Sequence, residues 1–95
     1  MSLSQELKQI SRDHLKRMAS LVDTLDVTDD ALFQDFLIVA LNRCGVERKR
    51  VCAQLKISKS AVSKWISGKS MPHVIIRRAV AGFIKVELMT LADGI

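Results

Sequence analysis

The segment RKRVCAQLKISKSAVSKWISGK, residues 48–69, decides the fold of this chain. Apolar residues recur twice within it at helical spacing. They are Val51, Cys52 and Leu55, and then Val62, Trp65 and Ile66. Only three residues, 56–58, separate the two sets, which leaves room for nothing longer than a tight turn. Since Gly68 then supplies a helix stop, the segment predicts two short helices, 48–55 and 59–67, joined by that turn.

The second of these helices has one apolar face and one face without acids. Ser58 precedes the helix as an N-cap, and Trp65, which lies between Val62 and Ile66, is predicted to be buried in the core. The opposite face holds only small or basic polar residues: Lys59, Ser60, Ser63, Lys64 and Ser67. A solvated helix face normally mixes both charge signs, so this composition is typical of a surface that meets a polyanion. Serine lets the backbone approach a groove closely, and lysine reaches bases and phosphates.

The charge of the chain is concentrated in its middle. The formal net charge is +5 and the isoelectric point is about 9.6. Between Arg43 and Arg78 there are ten basic residues and a single acid, Glu47, whereas the rest of the chain has five bases and nine acids. A segment of formal charge +9 therefore lies within flanks of −4. Such a distribution indicates a polyanionic partner and is more than a device for solubility.

The rest of the chain predicts further helices and no strand. Residues 28–30, Thr-Asp-Asp, favour a helix start and Gly45 a stop, so a helix is expected over 31–43. Pro72 is expected to begin a last helix that runs to about Met89. Near the N-terminus, apolar residues and one histidine recur at steps of three and four, as on one face of a helix capped by serine. They are Leu3, Leu7, Ile10, His14, Met18, Leu21 and Leu25.

These segments predict an all-α fold with two parts. Residues 1–27 form an extra N-terminal amphipathic helix that serves packing or dimerisation. Residues 28–95 form a compact helix-turn-helix domain, and the whole chain has about five helices. At 48% hydrophobic residues the chain can fill a modest core, and 95 residues are one domain by size.

Residues 48–69 resemble the helix-turn-helix of the lambda-repressor/Cro-type family of DNA-binding domains. The matching positions are Ile57, Ser58, Val62, Ser63, Trp65, Gly68, Lys69 and Pro72. Residues 44–46, Cys-Gly-Val, are similar to the turn before that family's second helix, and the resemblance extends over about 31–87. Lys56 stands where glycine is common in the family's turn, which implies a positive φ at this lysine. The resemblance implies a sequence-specific transcriptional regulator, a repressor, with helix 59–67 in the major groove of double-stranded DNA.

The resemblance also assigns roles to residues of this chain. Those implied to contact base edges are Lys59, Ser60, Ser63 and Lys64, and lysine favours guanine O6 or N7. Those implied to contact phosphates are Arg48, Lys49, Ser58, Ser67 and Lys69, together with the N–H groups that begin helix 48–55. Weaker phosphate candidates are Arg43, Arg50, Arg77 and Arg78.

Other classes of site find little support in the sequence. Cys44 and Cys52 are too few to close a structural zinc site, and we expect two reduced, buried thiols. His73 is expected to be a surface or capping residue and His14 a packing or interface residue. No pattern of a catalytic pair is present, so we expect neither an enzyme nor a cofactor or metal. The sequence shows no signal-peptide pattern and no apolar run of about 20 residues, so we expect a cytoplasmic protein. The resemblance implies a bacterial, phage or plasmid origin.

A homodimer is expected, because one domain of this size buries too little DNA surface for tight specific binding. The apolar residues of the last helix cover more than one stripe, whereas the narrow N-terminal stripe can be satisfied by one neighbour, so the last helix is expected to contribute most. Two alternatives stay open: an antitoxin that also binds its operator and has a toxin as protein partner, and a protein-interaction module that has lost DNA binding. The acid-free face of helix 59–67 argues against the second alternative.

Overall fold

A computed structural model describes residues 2–95 and confirms the all-α prediction, with no strand in that range. The helices are α1 (Leu3–Leu21), α2 (Asp30–Ile38), α3 (Arg48–Leu55), α4 (Lys59–Ser67) and α5 (Val74–Asp93). A 3-10 turn, Val22–Thr24, follows α1, and a π-helical turn, Val39–Arg43, follows α2. The bounds of α3 and α4 agree with the prediction from the sequence.

Side-chain caps explain where four helices begin. Ser2 and Gln5 form a capping box at the start of α1. The Asp29 carboxylate accepts the Leu32 N–H at 3.1 Å. The start of α4 is capped in the same way, because Ser58 Oγ accepts the Ala61 N–H at 3.0 Å. His73 Nδ1 accepts the Ile75 N–H at 3.2 Å, which confirms the capping role expected for this histidine.

Three helices differ from the prediction in their bounds. The N-terminal helix expected over 1–27 ends at Leu21, where the chain passes into the 3-10 turn, so Leu25 lies outside the helix. The helix expected over 31–43 is α-helical only to Ile38 and ends in the π turn, which buries both Ala40 and Leu41 in the core. The last helix begins after His73 rather than at Pro72. It runs beyond Met89 to Asp93, because Ala92 extends the fully buried face by one more turn.

All five helices contribute side chains to a single core. Its largest fully buried side chains are Phe33, Leu37, Ile84, Leu88, Val51, Val62 and Val80. Helices α1 and α5 run antiparallel, since Lys85 bonds to Asp23 at 2.6 Å near one end while Arg12 donates to the Ile95 carbonyl near the other. Arg12 already reaches the last residue of the chain, so the first turns of α1 extend past α5, and the molecule is 46 Å long but only 25 by 19 Å across.

The rest of the chain covers the N-terminal stripe only in part, although the sequence suggested that one neighbour could satisfy it. The side chains of α1 that are buried are Leu15, Met18 and Ala19. Leu15 and Ala19 follow His14 and Met18 by one position, which places them about 100° further round the helix. The stripe itself stays largely exposed, with Leu3, Leu7, Ile10 and Leu21 at 71%, 56%, 64% and 50%.

Arg77 is a structural residue and not a phosphate contact. Its guanidinium is buried and lies 5.7 Å from the centroid of the Phe33 ring. It donates to the carbonyls of Pro72 at 2.8 Å and Val27 at 3.0 Å and to the Asp30 carboxylate at 2.7 Å. These bonds join the beginning of α5 to the beginning of α2, so the weak phosphate role implied for Arg77 is wrong.

Candidate nucleic-acid interface

Helix α4 shows the two faces that its sequence predicts. Val62 and Trp65 are buried, which confirms that the tryptophan belongs to the core. The opposite side is exposed to solvent along the whole helix, and we call it the α4 polar face: Lys59, Ser60, Ser63, Lys64 and Ser67. The four residues implied to read bases thus lie together on one accessible surface.

The turn before α4 has the backbone that the resemblance implies. Lys56 adopts φ 55° and ψ 47°, the left-handed conformation expected for it, and the Ile57 N–H donates back to the Cys52 carbonyl at 3.0 Å. A left-handed residue closes α3 and lets the chain change direction within three residues. Lysine occupies this conformation at some cost, since only glycine adopts it freely.

The far end of α4 is fixed by α2. Gln34 Nε2 donates to the Ile66 carbonyl at 2.8 Å, across 32 positions of the chain. Gly68 follows at φ 77°, where an added Cβ would lie 3.2 Å from Gln34 Nε2. With Ser58 holding one end and Gln34 the other, α4 presents its polar face from a rigid support. Sequence reasoning missed Gln34, because nothing in the sequence distinguishes it from a solvated glutamine.

The basic residues assigned to DNA contacts form no ion pair with a carboxylate within residues 2–95. The three ion pairs found in residues 2–95 are Arg50–Glu87, Arg77–Asp30 and Lys85–Asp23. None of them involves the basic residues that we assigned to base or phosphate contacts: Arg48, Lys49, Lys59, Lys64 and Lys69. These five side chains are exposed, so the region retains an uncompensated positive potential.

The beginning of α3 is open to an anion. Glu47 occupies the N-cap position but makes no side-chain cap, so no side chain covers the first N–H groups of the helix. Arg48 projects from the same turn, and its guanidinium donates to Asn42 Oδ1 at 2.7 Å. Asn42, which sequence analysis did not single out, orients the arginine without neutralising it. Lys49 is exposed beside it.

The hydroxyl groups assigned to phosphate contacts already have local partners. Ser67 Oγ donates to the Lys64 carbonyl at 3.1 Å, so this hydrogen bond must break before the hydroxyl can donate to a phosphate. Ser58 accepts through its oxygen and keeps its own hydrogen available. Lys69 follows the turn at Gly68 and is exposed. Lysine and the open end of α3 are therefore better placed for phosphate than Ser67.

The weaker phosphate candidates separate by their contacts. Arg50 forms a bidentate pair with the buried Glu87, with both N···O distances at 3.0 Å. The hydrogen bond to Glu87, more than its charge, raises the pKa of Arg50 above its usual value. Arg50 therefore joins α3 to α5, and its candidacy for phosphate is weak. Arg43 and Arg78 remain exposed.

The two cysteines form no metal centre with other residues. Both are free thiols and half-buried rather than buried as expected. Cys44 Sγ lies 3.7 Å from His14 Nε2, so the histidine packs against the end of the π turn. Burial raises the pKa of the Cys44 thiol, which disfavours the thiolate. No cluster of three or more His, Cys, Asp or Glu side chains suited to a metal occurs within residues 2–95.

A scan against protein-family models, a search of curated proteins and a search of solved structures each found no match to this chain. Within residues 2–95, no helix combines the length and the apolar character needed to cross a membrane. The functional proposal therefore depends on the geometry and chemistry of the chain's own residues.

Proposed function

We propose that this protein is a sequence-specific transcriptional regulator, a repressor, which binds double-stranded DNA as a homodimer. The observation that carries the proposal is the α4 polar face: exposed, free of acids and of ion pairs, and supported at both ends. A helix of this kind fits the major groove, whose base edges offer acceptors to lysine and both donors and acceptors to serine.

Each part of the surface has a role in this proposal. Lys59, Ser60, Ser63 and Lys64 contact base edges from the exposed side of α4. Phosphates are held by Arg48 and Lys49 with the open N–H groups of α3 on one side of the groove, and by Lys69 on the other. Ser58 and Ser67 contribute weaker phosphate contacts. Base contacts give specificity, whereas phosphate contacts give position and most of the affinity.

The resemblance to the lambda-repressor/Cro-type family supports the proposal. It rests on the pattern within residues 48–69 and on the short turn between the two helices. The left-handed Lys56 supports it further, since that family commonly has glycine there. We accordingly place α4 as the recognition helix, with α3 across the backbone.

An antitoxin that also binds its operator is the second candidate. The observation that favours it is the exposed apolar stripe of α1, which offers surface to a protein partner. The two candidates share the DNA surface and differ only in what covers α1.

The proposal is tested by selection of binding sites from a pool of random duplexes, followed by titration of the best site. We expect enrichment of a two-fold symmetric sequence, which a dimer of major-groove helices requires. The Lys59→Ala/Lys64→Ala double variant is the matched control, since both residues are exposed and their loss leaves the fold intact. No enrichment, or equal enrichment by the double variant, would contradict the proposal.

A further inference from the structure

Helix α1 presents an apolar surface that its own domain leaves open. The first half of the stripe, formed by Leu3, Leu7 and Ile10, extends past the end of α5 and is more than half exposed. The second half is formed by Met18 and Leu21, and Leu25 continues it after the 3-10 turn; these residues lie beside α2. An exposed row of this length is unusual on a single small domain and indicates a protein partner.

The second half of the stripe forms the floor of an apolar groove. The groove has a volume of about 360 Å³. Its walls are Leu32 and Phe36 of α2 and Val39 of the π turn. Leu21 and Leu32 remain 50% and 46% exposed within it. One chain thus carries both a projecting row of large apolar side chains and an open groove that such a row can fill.

The spacing of the stripe is the same in both directions from His14. Ile10 and Met18 lie four positions on either side of it, and Leu7 and Leu21 lie seven positions away. Leu3 and Leu25 complete the pattern at eleven positions. A two-fold axis through His14 therefore places Leu7 and Ile10 of one helix opposite Leu21 and Met18 of an antiparallel copy. Leu3 then lies near Leu25, which follows the 3-10 turn after α1.

We propose that two copies of this chain pair through α1, antiparallel about a two-fold axis at His14. The projecting Leu3 and Leu7 of each copy enter the α1–α2 groove of the other and lie against Leu25 and Leu21. The interface is isologous, the commonest arrangement of a homodimer. This inference deepens the homodimer named in the proposed function and rests on it for its biological role.

Surface area and charge both favour a second copy as the occupant. Each chain exposes four large side chains of the stripe, with on the order of 100 Å² of accessible surface each: Leu3, Leu7, Ile10 and Leu21. Two copies together can bury roughly 800 Å² from these residues, and the groove walls bring the total to the ~1,000 Å² that specific interfaces need. The antiparallel arrangement also places the N-terminus of each α1, the positive end of its dipole, next to Asp26 of the other copy. Hydrogen bonds from Thr28 lower the pKa of Asp26 and keep its carboxylate charged.

The exposed side of α5 is the competing surface and is less complementary. Its exposed large apolar residues are Ile75, Ile76, Val86 and Met89. Ala79 and Gly82 separate the first two from the last two, and the cavity beside Gly82 has the charged Arg78 in its wall. We therefore assign the interface to α1, in contrast to the expectation from the sequence that the last helix contributes most.

Disulfide cross-linking locates the axis. In a background without Cys44 and Cys52 (Cys44→Ser/Cys52→Ser), His14→Cys faces its own counterpart, and we expect most chains to form a covalent dimer on oxidation. Ile10→Cys is the matched control, since its counterpart lies eight positions, about 12 Å, further along the helix. Ile10→Cys should link only when mixed with Met18→Cys. If His14→Cys and Ile10→Cys each form disulfide-linked dimers to the same extent, the helices pair in parallel and the proposal is overturned. A Val86→Cys variant that forms the covalent dimer when His14→Cys does not would also overturn it, because the interface would then lie on α5.

Sedimentation at tens of micromolar, without DNA, provides an independent measurement. The wild type should be a dimer and Leu7→Glu a monomer, with unchanged helical content because this leucine is 56% exposed. Val86→Glu, at 60% exposure, is the matched control and should remain a dimer. A wild-type monomer, a Leu7→Glu dimer or a Val86→Glu monomer each overturns the proposal. A dimer that fails to bind DNA would contradict the proposed function alone, whereas a DNA-binding protein that dimerises elsewhere would contradict this inference alone.

Discussion

Helices α1 and α4 both leave a surface exposed, and the two surfaces have opposite chemistry. The α4 polar face consists of lysine and serine without an acid or an apolar residue, whereas the exposed stripe of α1 is leucine and isoleucine with one histidine. Ordinary solvated helix faces mix charges of both signs with occasional apolar residues. Since each surface departs from that mixture in its own direction, the two indicate different kinds of partner, a polyanion and an apolar protein surface.

The two helices also differ in how the core holds them. Helix α4 is short, and its inner face, its cap and its contact with Gln34 leave little freedom in its orientation. Helix α1 is long and is anchored to α5 by its second half only. The proposed DNA-contacting face of α4 is therefore complete within one chain, whereas the apolar stripe of α1 stays exposed unless a partner covers it.

A change in salt concentration should give the largest difference between the two surfaces, because it should weaken DNA binding and leave dimerisation nearly unchanged. A dimer that contacts on the order of six to ten phosphates should lose about 10³–10⁵ in DNA affinity between about 50 and 200 mM salt. The dimerisation constant should change little over the same range, because burial of apolar surface does not depend on screened charges. Fluorescence anisotropy of labelled DNA and sedimentation of the free protein measure the two. DNA binding that is insensitive to salt would contradict the assignment of phosphate contacts.

Arg77 should affect the stability of the whole fold, because it joins the beginning of α5 to the beginning of α2. Arg77→Ala removes the donor to the carbonyls of Val27 and Pro72 and should lower the free energy of unfolding by about 2–4 kcal/mol. Urea denaturation measures the loss. Arg78→Ala, at the exposed neighbouring position, is the control and should stay within about 0.5 kcal/mol of the wild type. Equal effects of the two variants would show that the buried guanidinium has no structural importance.

The parts of the fold that depend on local chemistry could be predicted from the sequence. Ser58, Gly68 and the left-handed Lys56 act within a few residues of themselves, so the bounds of α3 and α4 followed from the pattern. The burial of Arg77 could not be predicted, because two of its partners, Val27 and Asp30, lie 50 and 47 positions away in the sequence. For the same reason the pattern identified the apolar stripe of α1 but not which face of that helix meets α5.

The candidate site shows the same division. The polar face of α4 follows from helical spacing, and its exposure is confirmed. Three features of the site are instead tertiary contacts between polar residues. Gln34 supports α4, Asn42 contacts Arg48, and Glu87 pairs with Arg50 and so withdraws it from phosphate. Such residues look the same in a sequence whether they are solvated or bonded, so only the structure separates them.

Substitution of two lysines should distinguish base contacts from phosphate contacts within the proposed DNA-binding surface. Lys64→Ala should cost about 1–3 kcal/mol on the preferred site and relax the base preference there. Lys69→Ala should instead weaken all sequences about equally and reduce the salt slope by roughly 1. Affinity measured on the best site and on a random duplex separates the two effects. If Lys64→Ala weakens both duplexes equally, this lysine contacts phosphate and the base-reading role is wrong. Neither variant should alter the dimer.

Substitution of Gly82 should have the smallest effect on stability. It also tests whether α1 or α5 forms the dimer interface. It lies in the middle of α5 on the exposed side, and a Cβ added there would meet nothing within 4 Å. Glycine inside a helix is destabilising by about 1 kcal/mol relative to alanine, so Gly82→Ala should raise the free energy of unfolding by about that amount. If α1 forms the dimer, the dimerisation constant stays as it is in the wild type. If α5 packed closely against a second copy at this glycine, the new methyl group would weaken the dimer although each monomer became more stable. Urea denaturation and sedimentation of the same variant therefore decide whether the glycine marks an interface on α5 or only an exposed turn of helix.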